Sequence, residues 1–254
     1  MRYEIAAGAD IGSNCEIGPG VIIHGGVVLG DNSRIGPYTI LGNPPASAGP
    51  RAKLEIGAGA TVRSHCVIYA GSTYGADLRV GHHTMIREGV QAGRDLQVGS
   101  FNDLEGDVTI GDHVRFHSNV HIGRGAHIGN LVWLFPYVVL TNDPIPPSGL
   151  KEGVTVGDGA VVCTSSVVLP GTVLGRGAFV GATSRVRGNI PPAAVVVGLE
   201  SRVLGPLTML RHKPTGKAHP WMQHHADAYP AEAQPMIAAL YAQLLQDLED
   251  WGHS

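Results

Sequence analysis

Charge is sparse in this chain of 254 residues: Asp, Glu, Lys and Arg make up only 15%, and the formal net charge is -3. With no excess of Lys and Arg there is no basic face for a nucleic acid backbone, and that class of partner is not expected. No apolar stretch is long enough to span a bilayer, and the opening "MRYEIAAGAD" lacks the apolar segment of a signal peptide. A cytoplasmic protein without a membrane span is therefore expected. Cysteine is also scarce. Cys15, Cys66 and Cys163 are an odd number at wide spacing, which gives neither a disulfide framework nor a zinc pattern, and buried free thiols are the expectation. Aromatic residues make up only 6%. What the chain has in quantity is glycine, 36 residues, and proline, 17, a composition for many tight turns and short strands rather than a helical bundle.

The dominant pattern is a repeat of six. Aliphatic residues recur at Ile5, Ile11, Ile17, Ile23, Leu29, Ile35 and Leu41, again from Ile56 to Leu140, and again from Val156 to Val186. Of 28 such positions only Tyr74, Ala92 and Phe116 are not Ile, Leu or Val. Glycine often follows the aliphatic residue, and a small or β-branched residue often stands four places after it. Six matches neither the 3.6 period of a helix nor the plain alternation of a β-meander. Short strands separated by turns that need permissive backbone satisfy it, and the spacing predicts an all-β parallel β-helix.

Two insertions interrupt the hexads, at 42–55 ("GNPPASAGPRAKLE") and 141–155 ("TNDPIPPSGLKEGVT"). The fifteen hexads between them make both loops leave from one corner if three hexads form a coil, and long loops in a compact repeat are commonly functional. The repeat stops at Val203, dividing the chain into a β-helix domain, 1–203, and a tail, 204–254. The tail begins as a proline-punctuated connector. Ile237, Leu240, Tyr241, Leu244, Leu248 and Trp251 then fall at helical spacing, predicting an amphipathic helix over about 231–251 that covers the open end of the prism or meets another subunit.

The segments "IGDHVRFHSNVHIGRGAHIGN" and "VTVGDGAVVCTSSVVLPGTVLGRGAFVGATSRV" resemble the hexapeptide-repeat acyltransferases. The resemblance covers about residues 3–203. It implies a left-handed β-helix in which three hexapeptides make one triangular coil, about nine coils in all, followed by a short C-terminal helix. The run "FHSNVHIGRGAHIGNLVWLFPYVVLTNDPIPP" is similar to the sugar N-acetyltransferases of nucleotide-sugar pathways, and "MIREG" to the "IRE" motif of UDP-N-acetylglucosamine O-acyltransferases acting in lipid A synthesis. These likenesses imply acetyl-CoA as donor, no metal, and a nucleotide-linked sugar as acceptor. They further imply a role in cell-surface polysaccharide or glycolipid (lipopolysaccharide) biosynthesis, and a homotrimer with active sites between prisms. One departure is visible: the catalytic histidine of the O-acyltransferases aligns with Arg124, and a neighbouring histidine of that group with His121.

The candidate chemistry centres on "FHSNVHIG" at 116–123. The register turns Phe116 inward, places His117 and Asn119 in a turn, and sets His121 on an outward face. Asp103, eighteen residues earlier, falls beneath His121, where a carboxylate orients the imidazole. Acyl transfer needs a base to take the nucleophile's proton, and His117 or His121 fits that role, with Asn119 holding the acceptor or the thioester carbonyl. Turn amides supply the oxyanion site. Asn142 and Asp143 from the second loop, with Arg87 and Glu88 of "MIREG", are the candidate acceptor contacts. By the resemblance, the pantetheine arm of the donor lies along Thr164, Gly181 and Ala182, with Arg185 and Arg187 toward its phosphates. No glycine-rich phosphate loop leads into a helix, which argues against ATP. Two other readings remain: a carbonic-anhydrase-like metalloenzyme using His117, His121 and His127, and a noncatalytic trimeric scaffold. The outward rings of Trp133, Phe135 and Tyr137 are expected at a subunit contact or under the 141–155 loop.

Overall fold

The computed structural model describes residues 2–46 and 52–251; part of the first insertion, 47–51, lies outside the described residues. Within them the chain climbs as a parallel β-solenoid with three faces. Sheet A runs from Glu4–Ile5 to Arg185–Val186 through ten strands, and sheet B from Asp10–Ile11 to Asn189–Ile190 through ten. Sheet C runs from Glu16–Ile17 to Ala194–Val197 and adds the antiparallel strand Arg202–Pro206 as its eleventh. The hexad count of about nine coils becomes ten because the last is completed off-period: Ile190 follows Val186 after only four residues, and Val196 closes the turn.

Most strands are two residues long, one side chain inward and one outward. The inward column of sheet A, from Ile23 through Ile68, Ile86, Leu104 and Ile122 to Val186, is almost wholly excluded from solvent. Stacking these aliphatic side chains at the strand spacing of about 4.8 Å produces one continuous core. Phe116 lies in it, 3% exposed.

The small residue four places after the inward position has a specific task at the corner from sheet C to sheet A. There a turn carbonyl is buried, and a buried carbonyl without a partner is costly. The Thr39 hydroxyl donates to the Arg63 carbonyl (2.8 Å), the Cys66 thiol to Gly81 (2.9 Å), the Thr84 hydroxyl to Gly99 (2.9 Å), the Asn102 amide to His117 (3.0 Å) and the Ser166 hydroxyl to Gly181 (2.9 Å). Each coil thereby closes the turn of the next. Two places further round, the backbone is left-handed at Tyr38, His65, His83, Phe101, Asn119, Tyr137, Ser165 and Thr183, with φ between 55° and 63°. Asn tolerates this region better than most residues.

Both insertions leave sheet A and re-enter sheet B, hence from one corner, five coils apart. The C-terminal helix Gln234–Trp251 buries Ile237, Leu240 and Leu244. It does not cross the open end of the prism. Leu240 packs at Gly159, Leu244 at Gly177, and the Trp251 indole donates to the Pro192 carbonyl (3.0 Å), so the helix runs beside successive late coils. The connector before it is more structured than an extended strap: it contains a 3-10 turn at Leu207–Met209 and short helices at Met222–His225 and Ala226–Ala228. It is this tail that covers Trp133 and Phe135, rather than the 141–155 loop. Tyr137, 58% exposed, is covered by neither. All three cysteines are free, but only Cys66 is fully buried.

Candidate functional site

Sheet A carries on its outer face, near its corner with sheet B, a connected set of polar side chains. Asp103 and His121 are direct partners in neighbouring parallel strands, and His121 Nδ1 lies 3.2 Å from Asp103 Oδ2. Its Nε2 faces Glu105 at 3.7 Å, and the imidazole is about one-third exposed. Glu105 accepts the Arg124 backbone amide (3.1 Å) and the Asn142 side-chain amide (2.7 Å). Burial works to raise the Glu105 pKa, but those donors, His121 and Lys151 outweigh it and hold the carboxyl below its ordinary range.

Arg124 ties the set together. It pairs with Glu88 (3.0 Å), which also pairs with Arg87 (3.1 Å), and with Asp107. Glu88 and Arg124 are separated by 36 residues, two coils, and the corner position between them is Gly106 at φ +94°. A side chain there would strike the Glu88 carbonyl, so the missing Cβ keeps the path open. Burial opposes ionisation of Glu88 as well; its own backbone amide, Arg124 and Arg87 win, and its pKa is lowered.

Of the residues singled out in the sequence, His121, Asp103, Arg87, Glu88 and Asn142 therefore meet in one network. His117 and Asn119 do not join it. His117 lies at the corner between sheets C and A, its ring stacked on Phe135 with centroids 4.7 Å apart, and burial lowers its pKa. Asn119 occupies a left-handed turn position and donates its backbone N–H to the Ser100 carbonyl (3.0 Å). Asp143 folds back on its own loop, accepting from the Ser148 hydroxyl and amide and from the Ile145 amide, as an Asx-type turn does. Thr164, Gly181 and Ala182 lie on the C-to-A corner of the later coils. Arg185 stands in the His121 column three strands up, roughly 14 Å away by strand spacing, and donates to the Leu199 carbonyl. Arg187 is exposed at the corner from A to B.

The three histidines of the metalloenzyme reading lie on separate faces within one chain. His127 sits on sheet B against the Thr109 hydroxyl (2.7 Å), away from both others. Among the described residues no group of three His, Cys, Asp or Glu side chains is placed to hold a metal.

Sequence reading missed Glu105 and Arg124 as partners, and it missed a second buried cluster. On sheet C, Asp95 receives His113 Nδ1 (2.9 Å) and the Arg115 guanidinium, and Arg115 lies over the Tyr229 ring at 4.9 Å. Asp95 and His113 are eighteen residues apart, so the arithmetic that placed Asp103 under His121 would also have found them.

With repeat, coil and faces established, the molecule is a hexapeptide-repeat β-solenoid. The bacterial transferase hexapeptide family (six repeats) matches residues 8–43. Over 200 residues the chain is 26% identical to the bifunctional protein GlmU of Alkalilimnicola ehrlichii, covering 77% of this chain and 39% of that protein. It is 28% identical to GlmU of Brevibacillus brevis, covering 74% and 37%. The chain thus spans about two-fifths of the length of these relatives. Among solved structures, UDP-N-acetylglucosamine acyltransferase from Campylobacter jejuni superposes with a TM-score of 0.51 at 14% identity, covering 99% of this chain and 93% of that one, a likeness of fold.

Proposed function

We propose that the chain is an acyl-CoA-dependent acyltransferase that moves an acetyl group from acetyl-CoA to a nucleotide-linked sugar in cell-surface polysaccharide or glycolipid assembly, working as a homotrimer. The observation that carries this reading is His121 held between Asp103 and Glu105 on an outward face, beside Arg124, Glu88 and Asn142. An Asp103 carboxylate accepting from Nδ1–H leaves the Nε2 lone pair free to act as base. His121 takes the acceptor's proton as the acceptor atom bonds to the thioester carbonyl carbon. The carbon–sulfur bond then breaks, and the same imidazolium returns the proton to the departing sulfur, so the histidine ends as it began.

The network holds Asp103, Glu105, Glu88 and Asp107 against Arg87, Arg124 and Lys151, a negative balance that attracts an ammonium group, which gives one proton to solvent before the neutral amine attacks. That balance favours an amino acceptor over a hydroxyl. His117 is the second candidate base, supported by burial, which lowers its pKa and so favours the neutral imidazole.

The test is release of free thiol from acetyl-CoA by the full chain over a panel of UDP- and dTDP-amino sugars, comparing His121→Ala with His117→Ala. Wild-type turnover by His121→Ala would sink the assignment of the base. Absence of thiol release with every acceptor would sink the reaction itself.

A further inference from the structure

Sheet C has a feature that acyl transfer at His121 does not use. Its outward column reads Glu16, Arg34, Thr61, Arg79, Gln97, Arg115, Trp133, Val161, Phe179 and Val195 from early coils to late. From Trp133 upward the column is apolar and covered by the tail through Trp221, Met222, Tyr229 and the C-terminal helix. Below Trp133 the tail ends its coverage at Ala228 and Tyr229. There a cavity of about 690 Å3 opens, floored by Arg63, Arg79, Gln97 and Arg115 and walled at its upper end by His117, Trp133 and Tyr229.

The charges in this cavity are unequal. Arg115 is committed to Asp95 and to the Tyr229 ring. Arg63 and Arg79 have no carboxylate within 4.0 Å among the described residues, although both face the cavity from neighbouring coils. Arg63 follows the inward Val62 and Arg79 precedes the inward Val80 of the next coil, so two uncompensated guanidiniums rise from adjacent coils and offer forks to neighbouring phosphates, for which arginine geometry is suited. The upper wall supplies aromatic rings instead of charge. Trp133 and His117 also line a second, apolar cavity of about 490 Å3 with Phe135, Val161 and Phe179, so the ring wall separates a cationic floor from an apolar recess.

We infer that this face of sheet C is a binding site for a nucleoside diphosphate, its two phosphates held by Arg63 and Arg79 and its base against Trp133. The tail forms the end wall of this site and so fixes how far along the sheet the ligand reaches. The inference does not depend on acyl transfer, because it concerns binding on a different face from His121.

Calorimetric titration of the full chain with UDP and, separately, with inorganic pyrophosphate tests it. UDP binding is expected, with quenching of tryptophan fluorescence, together with weaker binding of pyrophosphate. Arg63→Ala and Arg79→Ala are each expected to weaken UDP by roughly tenfold or more. Arg202→Ala, at the far end of the sheet, is expected to leave it unchanged, and the affinity should fall as salt is raised. Circular dichroism of the arginine variants, which lie on an exposed face, checks that they fold. No UDP binding at millimolar concentration, an unchanged affinity in the double arginine variant, or pyrophosphate binding as tightly as UDP would each overturn the assignment.

Discussion

Sheets A and C share one backbone repeat and nearly the same inward column, yet their outer faces do opposite things. Around His121, sheet A presents carboxylates and an imidazole linked into a single hydrogen-bonded set. Around His117, sheet C presents rings, arginines and a tail packed over them. The difference lies in the outward residue of each two-residue strand and in the adjoining turn. Inward residues therefore decide that the chain coils, and outward residues decide what each face binds, with little interference between the two.

The largest expected effect sharpens that contrast at the level of chemistry. Replacing a general base costs about 10²–10⁴-fold in rate, so His121→Ala should lose that much turnover in the thiol-release assay. His117→Ala, on the other face, should lose far less. Core changes should ignore the contrast altogether. Leu104, inward on sheet A, is fully buried, and Leu104→Ala should destabilise by about 2–5 kcal/mol in denaturant unfolding. Leu134→Ala, inward on sheet C, should cost about the same.

A change of pH should separate the faces again. Burial, together with the neighbouring His224 and His212, pushes the His219 pKa down to about 4. Because the docked state disfavours the charged imidazole, its docking is fully stable above the ordinary histidine value of about 6.5. Docking weakens progressively as pH falls from there to about 4. Burial also depresses the pKa of His224, the next largest contributions coming from His212, His225 and Lys217, and it adds in the same direction. Hydrogen-exchange protection factors, which remove the intrinsic pH dependence of amide exchange, should fall across 207–229 over this window while those in sheets A and B stay constant. The smallest effect is expected at the Arg176–Asp247 pair (2.9 Å), where the arginine is about one-third exposed. Arg176→Ala should cost no more than about 1 kcal/mol, read from the midpoint of thermal unfolding.

The solenoid was legible in the sequence because its core is one-dimensional: a six-residue period reports directly on which side chain points inward. The Asp103–His121 pair was legible for the same reason, since partners in neighbouring coils are eighteen residues apart. Arg124 and Glu88 were harder because they meet across two coils, over a glycine. The tail was harder still. Nothing periodic links Trp221 or Tyr229 to the coils they cover, and the Trp221 indole finds the Gly159 carbonyl (3.2 Å) across 62 residues. The two cavities of sheet C depend on that docking, and so they could not be read before the tail was placed.

The row of side-chain donors at the corner from sheet C to sheet A has a bearing on how such a chain can change length. Thr39, Cys66, Thr84 and Asn102 each serve the carbonyl one storey above. Adding or removing a full eighteen-residue storey leaves every donor beneath an acceptor, so the prism grows or shrinks like masonry laid in whole courses. Removing six residues instead rotates everything above the cut by one wall and carries each outward group to a face it was not shaped for.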